Sequence, residues 1–201
     1  MKYPKLREIK GAVISLLSKP YTTGFPKIPH IPFPAFRGRP YYHEKECIGC
    51  TACVNVCPTG ALSFKDVLRQ DTWLRILKIR WDVCIACGMC EANCVTKNGI
   101  KLSQEFDLAT CENRDELNQI IEKPLLQCES CNQTIACNDH LHWTIKKLGA
   151  LYTSNTSLIA YHQSALQINS LIKKDTGDPA QRGDRFRVLC PRCRRETVFI
   201  S

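Results

Sequence analysis

Between Cys47 and Cys94, eight cysteines fall into two runs of identical spacing, and this repeat constrains the fold more than any other feature of the chain. The first is Cys47-Ile-Gly-Cys50-Thr-Ala-Cys53-Val-Asn-Val-Cys57, followed by Pro58; the second is Cys84-Ile-Ala-Cys87-Gly-Met-Cys90-Glu-Ala-Asn-Cys94, followed by Val95. Each reads C-x2-C-x2-C-x3-C, the spacing that holds a 4Fe–4S cubane. Three close thiolates wrap one cube, and the fourth, carried off by a helical turn, reaches its neighbour. The expected ligand sets are therefore crossed: Cys47, Cys50, Cys53 and Cys94 for one cluster, and Cys84, Cys87, Cys90 and Cys57 for the other. Two runs that exchange ligands cannot fold apart. A disulfide framework suits small secreted chains with scattered cysteines, and zinc takes ligands as two pairs; neither fits two consecutive four-cysteine runs.

A chain of 201 residues suits one or two domains, and 44% hydrophobic residues can supply a core. Fourteen cysteines without a secretory signal point to metals in a reducing compartment. The formal charge of +9 shrinks to about +5 with two cubes of about −2 each, and to about +3 with a four-thiolate zinc. That surplus is compatible with an acidic partner or an anionic membrane surface and is weak evidence for either.

The residues before the runs carry an amphipathic foot. Residues 4–18 read as a helix, with Pro4 at its first turn, Lys19-Pro20 ending it, and Leu6, Ile9, Val13, Leu16 and Leu17 on one face. Its apolar run is far short of the roughly 20 residues a spanning helix needs, so it either packs on its own domain or lies on a membrane interface or an integral-membrane partner. From Pro20 to Pro40, six prolines interleave with Phe25, Ile28, Ile31, Phe33 and Phe36. An extended apolar strap of this kind favours the second reading, because it has no core of its own.

Short strands are expected at residues 41–43 and 78–81, leading into the ligand loops, and at 61–64 and 100–103, leaving them. With the constant offset between the runs, these make an internal duplication on the βαββαβ plan. Residues 65–77 form an insertion between the halves, read as a longer hairpin. Asn113, Glu116 and the stripe Leu117, Ile120 and Ile121 predict a helix stopped by Lys123-Pro124. Cys111 reads as a structural thiol.

Two further C-x2-C pairs, Cys128/Cys131 and Cys190/Cys193, predict a tetrahedral zinc site closing a zinc-ribbon-like module, with Thr197 to Ile200 as its final strand. The spacing also admits a single iron in the same four sulfurs. A competing local set is Cys128, Cys131, Cys137 and His140. Between the pairs, helices are expected over 139–151 and 157–173, then a polar loop around 176–179. The predicted class is α+β: an N-terminal helix and strap (1–35), a two-cluster ferredoxin domain (36–110), and a helix plus four-cysteine module (111–201).

Taken together, the N-terminal basic helix, the Phe36-Arg-Gly-Arg-Pro40 lead-in, the two runs, the stretch from Ile100 to Leu108 and the C-terminal pairs carry a resemblance. The chain resembles the two-cluster subunit of membrane-bound group 4 NiFe hydrogenases of the formate hydrogenlyase type, and more distantly the equivalent subunit of respiratory complex I. The resemblance implies a peripheral subunit on the cytoplasmic side of the cell membrane. Its implied partners are an electron-entry iron–sulfur subunit, a hydrogenase small subunit and an integral-membrane subunit that holds the N-terminal helix. Val95 in place of a second proline and the 65–77 insertion depart from the family pattern.

The residues themselves argue for electron transfer without catalysis. The chain has no G-x-G-x-x-G after a strand, no P-loop and no nucleophile elbow. An all-cysteine ligand set leaves no open iron for Lewis-acid chemistry. Ile48, Ala52, Ile85 and Ala86 are expected to keep the cubes dry. A soluble ferredoxin is the alternative within electron transfer, and the foot and strap argue against it. A nucleic-acid-binding ribbon is the alternative from another class, resting on Arg182, Arg185, Arg187, Arg192, Arg194 and Arg195, but no aromatic series interleaves with them.

Overall fold

The structure, a computed structural model, describes residues 5–19, 22, 24–111, 113–166 and 187–199. The chain divides into two compact units, Met1–Phe36 and Arg37–Ser201. In the first, α1 spans Leu6–Leu17 and ends at Ser18, whose N–H donates to the Ile14 carbonyl. None of its residues is buried, and Leu6, Leu16 and Leu17 are each more than four-fifths exposed. The strap after it continues the pattern, with Ile28, Ile31 and Phe33 exposed. No helix among the described residues is long and apolar enough to cross a membrane.

In the second unit the elements run β1 (Pro40–Tyr42), α2 (Ala52–Asn55), β2 (Leu62–Arg69), β3 (Thr72–Arg80), α3 (Met89–Ala92) and β4 (Ile100–Leu102). Strands β1 and β4 pair antiparallel, Tyr42 opposite Ile100. The 65–77 segment is a hairpin: β2 and β3 pair from Leu62↔Ile79 to Arg69↔Thr72 around a two-residue turn. Gln70 and Asp71 there have φ of 46° and 63°, as a turn that matches the strand twist requires. Strand β3 alternates sides, so Leu77 and Ile79 are almost fully buried while Arg80 faces water. They join Tyr42, Leu62, Ile100 and Ile121 in one core that also takes in Cys53 and Cys90.

The predicted helix over 113–123 is a strand. After one 3-10 turn at Arg114–Leu117, β5 (Asn118–Gln127) lies against β3 and then carries β6 (Thr134–Cys137) on its other edge, giving the sheet order β2-β3-β5-β6. The helical stripe lost to a period-2 pattern, Ile121, Lys123 and Leu125, whose side chains point inward along β5. Pro124 is tolerated because pairing with β3 ends there and pairing with β6 begins at Leu125. The sheet joins the ferredoxin part to the C-terminal part.

Beyond it, α4 (Asn138–Leu148) stops at Gly149, whose φ is +55°, and a 3-10 segment follows over Gly149–Ser154. Helix α5 (Thr156–Ala165) starts on Asn155, whose side chain accepts from the N–H groups of Ser157 and Leu158. The expected continuation to residue 173 and the loop at 176–179 lie outside the described residues. The predicted C-terminal strand is instead α6 (Pro191–Phe199), with Pro191 at the first helical position, where its missing N–H costs nothing.

Ile79 is 0% exposed beneath both ligand loops. Ile79→Ala should cost about 2–5 kcal/mol, read as a fall of roughly 5–15 °C in the Tm of the iron-loaded protein at fixed scan rate.

Candidate metal centres

The two cysteine runs adopt one backbone conformation twice. Gly49 and Thr51 have φ of 70° and 63°, and their counterparts Ala86 and Gly88 have 50° and 81°. These left-handed residues curl each loop so that N–H groups face its concave side, an anion-binding arrangement. The Gly49 N–H donates to Cys47 Sγ, and the Ala86 N–H to Cys84 Sγ at 3.4 Å. The third cysteine of each run then rides on a single helical turn, Cys53 on α2 and Cys90 on α3, and both are buried.

The pairing of β1 with β4 brings the end of the second run beside the start of the first. A Cβ added to Gly99 would sit 3.1 Å from Cys47 Cα and 3.3 Å from Cys94 Sγ, so the chain passes between them with no room for a side chain. Cys47, Cys50, Cys53 and Cys94 line a single cavity, closed by Tyr42, Ile48, Leu77 and Ile100. In the other set, Cys84 is close enough to Cys57 and Cys87 to feel their charge, as Cys90 feels Cys84 and Cys87.

Burial dominates the thiol chemistry of the inner ligands. It pushes Cys53 up to about 12 and Cys90 up to about 11, and it raises Cys47 and Cys84. Tyr42 is likewise raised by burial, its hydroxyl 3.6 Å from Cys53 Sγ. The fourth cysteines behave differently. Burial works against ionisation at Cys57, yet N–H groups of Leu62, Thr59 and Ala61 and the Thr59 hydroxyl draw it down. Cys94 is drawn down against its burial in the same way, by the Thr96 hydroxyl at 3.4 Å and the N–H groups of Ile100, Gly99 and Thr96. All fourteen cysteines are free thiols, which removes the disulfide alternative. Four thiols around one cavity, with N–H groups aimed at sulfur, fit a cubane's charge and ligand needs.

The surroundings of the two loops differ. Ile48 is buried as expected, but Ile85 is 64% exposed, and Val83 and Met89 beside it are also exposed. Among the described residues nothing covers the second loop at that point, so Ile85 does not seal it from water as Ile48 does the first. The first loop rests on the β-sheet: Arg75 donates to the Gly49 carbonyl, and Lys123 to the Glu44 carbonyl.

The C-terminal pairs converge. Sγ atoms of Cys128, Cys131, Cys190 and Cys193 all lie within 4.8 Å of one another, with Cys131 and Cys190 at 3.7 Å. Sulfurs around a tetrahedral zinc at about 2.3 Å stand about 3.8 Å apart, so the group fits a metal of that size. The first pair sits in the tight turn from β5 to β6, where Asn132 has φ 57°, and the second straddles the start of α6. Burial opposes the Cys128 thiolate, but N–H groups of Cys190, Cys131 and Ser130 bring it down to about 6. The Cys193 thiol donates to the sulfurs of Cys131 and Cys190, which favours its protonated form and pushes it up to about 12. Ser157 on α5 clamps this segment through the Leu189 carbonyl at 3.0 Å.

The competing local set is not assembled. Cys137 is fully buried with its Sγ 3.5 Å from the Gly49 carbonyl, facing the first ligand loop and not the Cys128 group. Burial, and then the charge of Arg75, lower the His140 pKa. Cys111 is exposed, and His142 packs its ring on Tyr161. Among the basic residues of the nucleic-acid alternative, Arg192 pairs with Glu196 and Arg194 with Ser157, while Arg182 and Arg185 lie outside the described residues. Sequence reasoning missed the roles of Lys123 and Arg75, which depend on the β5–β3 pairing, and put Cys137 in the wrong group, because its place depends on the β5–β6 pairing.

Residues 46–98 match the 4Fe–4S dicluster domain. Formate hydrogenlyase subunit 6 of Escherichia coli is 37% identical over 182 residues, covering 89% of this chain and 84% of that protein. NAD(P)H-quinone oxidoreductase subunit I of Gloeobacter violaceus is 34% identical over 50% of this chain and 48% of its own length. Among solved structures, a chain of the archaeal membrane-bound sulfane sulfur reductase aligns with 26% identity and a TM-score of 0.41, over 58% of this chain and 62% of that one. With over a third of its residues shared along nearly its full length and the dicluster domain at its centre, the chain belongs to the formate hydrogenlyase subunit 6 family of 4Fe–4S proteins.

Proposed function

We propose that this chain relays electrons through two 4Fe–4S clusters inside a membrane-bound NiFe hydrogenase complex of the formate hydrogenlyase type and performs no catalysis itself. The observation that carries the reading is the approach of Cys94 to Cys47 around one cavity, which supports a ligand from the second run for the first cluster. Cys47, Cys50, Cys53 and Cys94 would hold the first cluster, and Cys84, Cys87, Cys90 and Cys57 the second. A bound cube supplies a one-electron couple. The chain's residues supply the rest: thiolates to anchor it, N–H groups to bond its sulfurs, and an apolar core to limit water.

On this reading, residues 36–110 are a duplicated two-cluster ferredoxin domain, supported by the matching order of strand and helical turn around each run. Residues 111–201 form a metal-stapled docking module, with zinc or a single iron in the Cys128, Cys131, Cys190 and Cys193 site. Residues 1–35 form the foot. Its exposed apolar face suits an integral-membrane neighbour, with the chain peripheral on the cytoplasmic side. The remaining partners are an electron-entry iron–sulfur subunit and a hydrogenase small subunit. The longer span shared with the hydrogenlyase subunit favours this assignment over a quinone oxidoreductase.

Anaerobically purified chain should contain about eight irons in two centres with separate EPR signals. Cys94→Ser should then perturb the centre whose other ligands lie in the first run, and Cys57→Ser the opposite one; an effect confined to each residue's own run would refute crossed ligation. At the C-terminal site, metal uptake should release protons, because Cys193 is protonated at pH 7 while Cys128, at about 6, is not. Affinity should therefore fall as pH drops, more steeply below about 6, where Cys128 must also lose a proton. Competitive chelator titration between pH 5 and 8 checks the sign.

A further inference from the structure

A row of four charges crosses the sheet beneath the first ligand loop. Asp66 on β2 faces Arg75 on β3, Arg75 faces Lys123 on β5, and Lys123 reaches Asp139 on α4. Two cations directly opposed across strands repel one another, an arrangement that ordinarily destabilises a sheet. Here each is compensated differently. Asp66 takes Arg75 in a two-point bond of 2.8 and 2.9 Å, and both side chains are largely buried, so that pair is close to neutral as seen from the loop. Lys123 is 7% exposed, but its partner Asp139, at 2.8 Å, is 43% exposed. Water screens the carboxylate more than the ammonium. A net positive field is left on the buried side.

That side faces the loop. Lys123 Nζ donates to the Glu44 carbonyl, and the Lys123 Cβ is 3.5 Å from where a Gly49 Cβ would stand. The lysine charge also favours the Cys47 thiolate, against the burial that raises that thiol. Among the described residues the second loop has no buried counterpart: Arg37, which donates to the Cys87 carbonyl at 3.1 Å, is exposed and screened. Reduction makes a four-thiolate cube more negative by one charge, so a buried cation beside one cube favours its reduced form.

We propose that Lys123, held by Asp139 and the Glu44 carbonyl, is a positioning residue that raises the potential of the Cys47/Cys50/Cys53/Cys94 cluster above that of its twin. The proposal rests on the two-cluster reading and adds the ordering of the two clusters. It also gives the C-terminal part of the chain, through Asp139 on α4, a direct hold on the energetics of the relay.

The test is an EPR-monitored redox titration of the iron-loaded full chain as wild type, Lys123→Met, Lys123→Arg and Asp139→Asn, with iron counted for each. Lys123→Met should lower the midpoint of one centre so that its reduced-to-oxidised ratio at fixed potential falls about tenfold, 59 mV for a one-electron couple. The other centre should stay put. Asp139→Asn should move the same centre upward by a smaller amount, and Lys123→Arg should stay near wild type. Lys and Asp variants shifting one centre in opposite directions is a result that loosened packing does not produce. If both neutralising variants shift it the same way, if both centres move together, or if neither moves with about eight irons retained, the proposal is wrong. Should Lys123→Met lose iron, the sign of the Asp139→Asn shift decides alone. A wild-type chain without two 4Fe–4S centres would instead overturn the reading on which the proposal stands.

Discussion

The whole second unit depends on one close approach, that of the second run's last cysteine to the first run's first cysteine across Gly99. Three residue pairs between β1 and β4, Pro40↔Leu102, Tyr41↔Lys101 and Tyr42↔Ile100, hold the two chain segments side by side. So short a ladder is weak alone. It is held because Tyr42 and Ile100 enter the same core as Leu62, Leu77 and Ile79 of the hairpin, and because Trp81 donates to the Pro40 carbonyl at 2.7 Å. Clusters ligated from both runs would close the loop a second time. Metal binding and folding would then be linked, since buried thiols that resist ionisation become thiolates when a metal binds them.

The two halves share a backbone and differ in what backs them. The first loop is seated on a sheet carrying Arg75 and Lys123, with Cys137 filling the space that Gly49 leaves by having no side chain. The second loop shows Val83, Ile85 and Met89 to solvent. A relay needs such a difference. Electron transfer between proteins is fastest where the redox centre is nearest the surface, and a centre well seated in protein is the one whose potential fixed charges can set, because water does not screen them there.

Much of this was legible beforehand, for a physical reason. Cluster spacing is dictated by the cube's size, so C-x2-C-x2-C-x3-C carries the loop geometry, and the left-handed residues at Gly49, Thr51, Ala86 and Gly88 follow from it. The hairpin over residues 65–77 was visible for a similar reason, since β-formers flank a two-residue turn. The strand β5 was not. Leu117, Ile120 and Ile121 satisfy a helical period, while Ile121, Lys123 and Leu125 satisfy a strand, and Pro124 argued for a stop where it marks a change of partner. A buried lysine hides the alternation, because a charge reads as a solvent position. The C-terminal end failed for the converse reason: Thr197-Val-Phe looks like a strand, but Pro191 at the first helical position starts a helix that runs on through it.

The first unit poses the opposite problem to the second. Its apolar side chains are not gathered by any metal or sheet, and those of α1 and the strap from Ile28 to Phe33 lie exposed. Leaving a leucine-sized side chain in water forgoes roughly 1.5–3 kcal/mol, so six such groups on α1 and three on the strap represent a large unrealised gain. The helix is too short to recover it by crossing a bilayer. Its apolar stripe needs only a shallow surface, however, and a strap fixed by proline has little conformational freedom left to lose when it docks. The same sequence features that prevent this unit from building a core therefore make it cheap to order against one supplied by a neighbour.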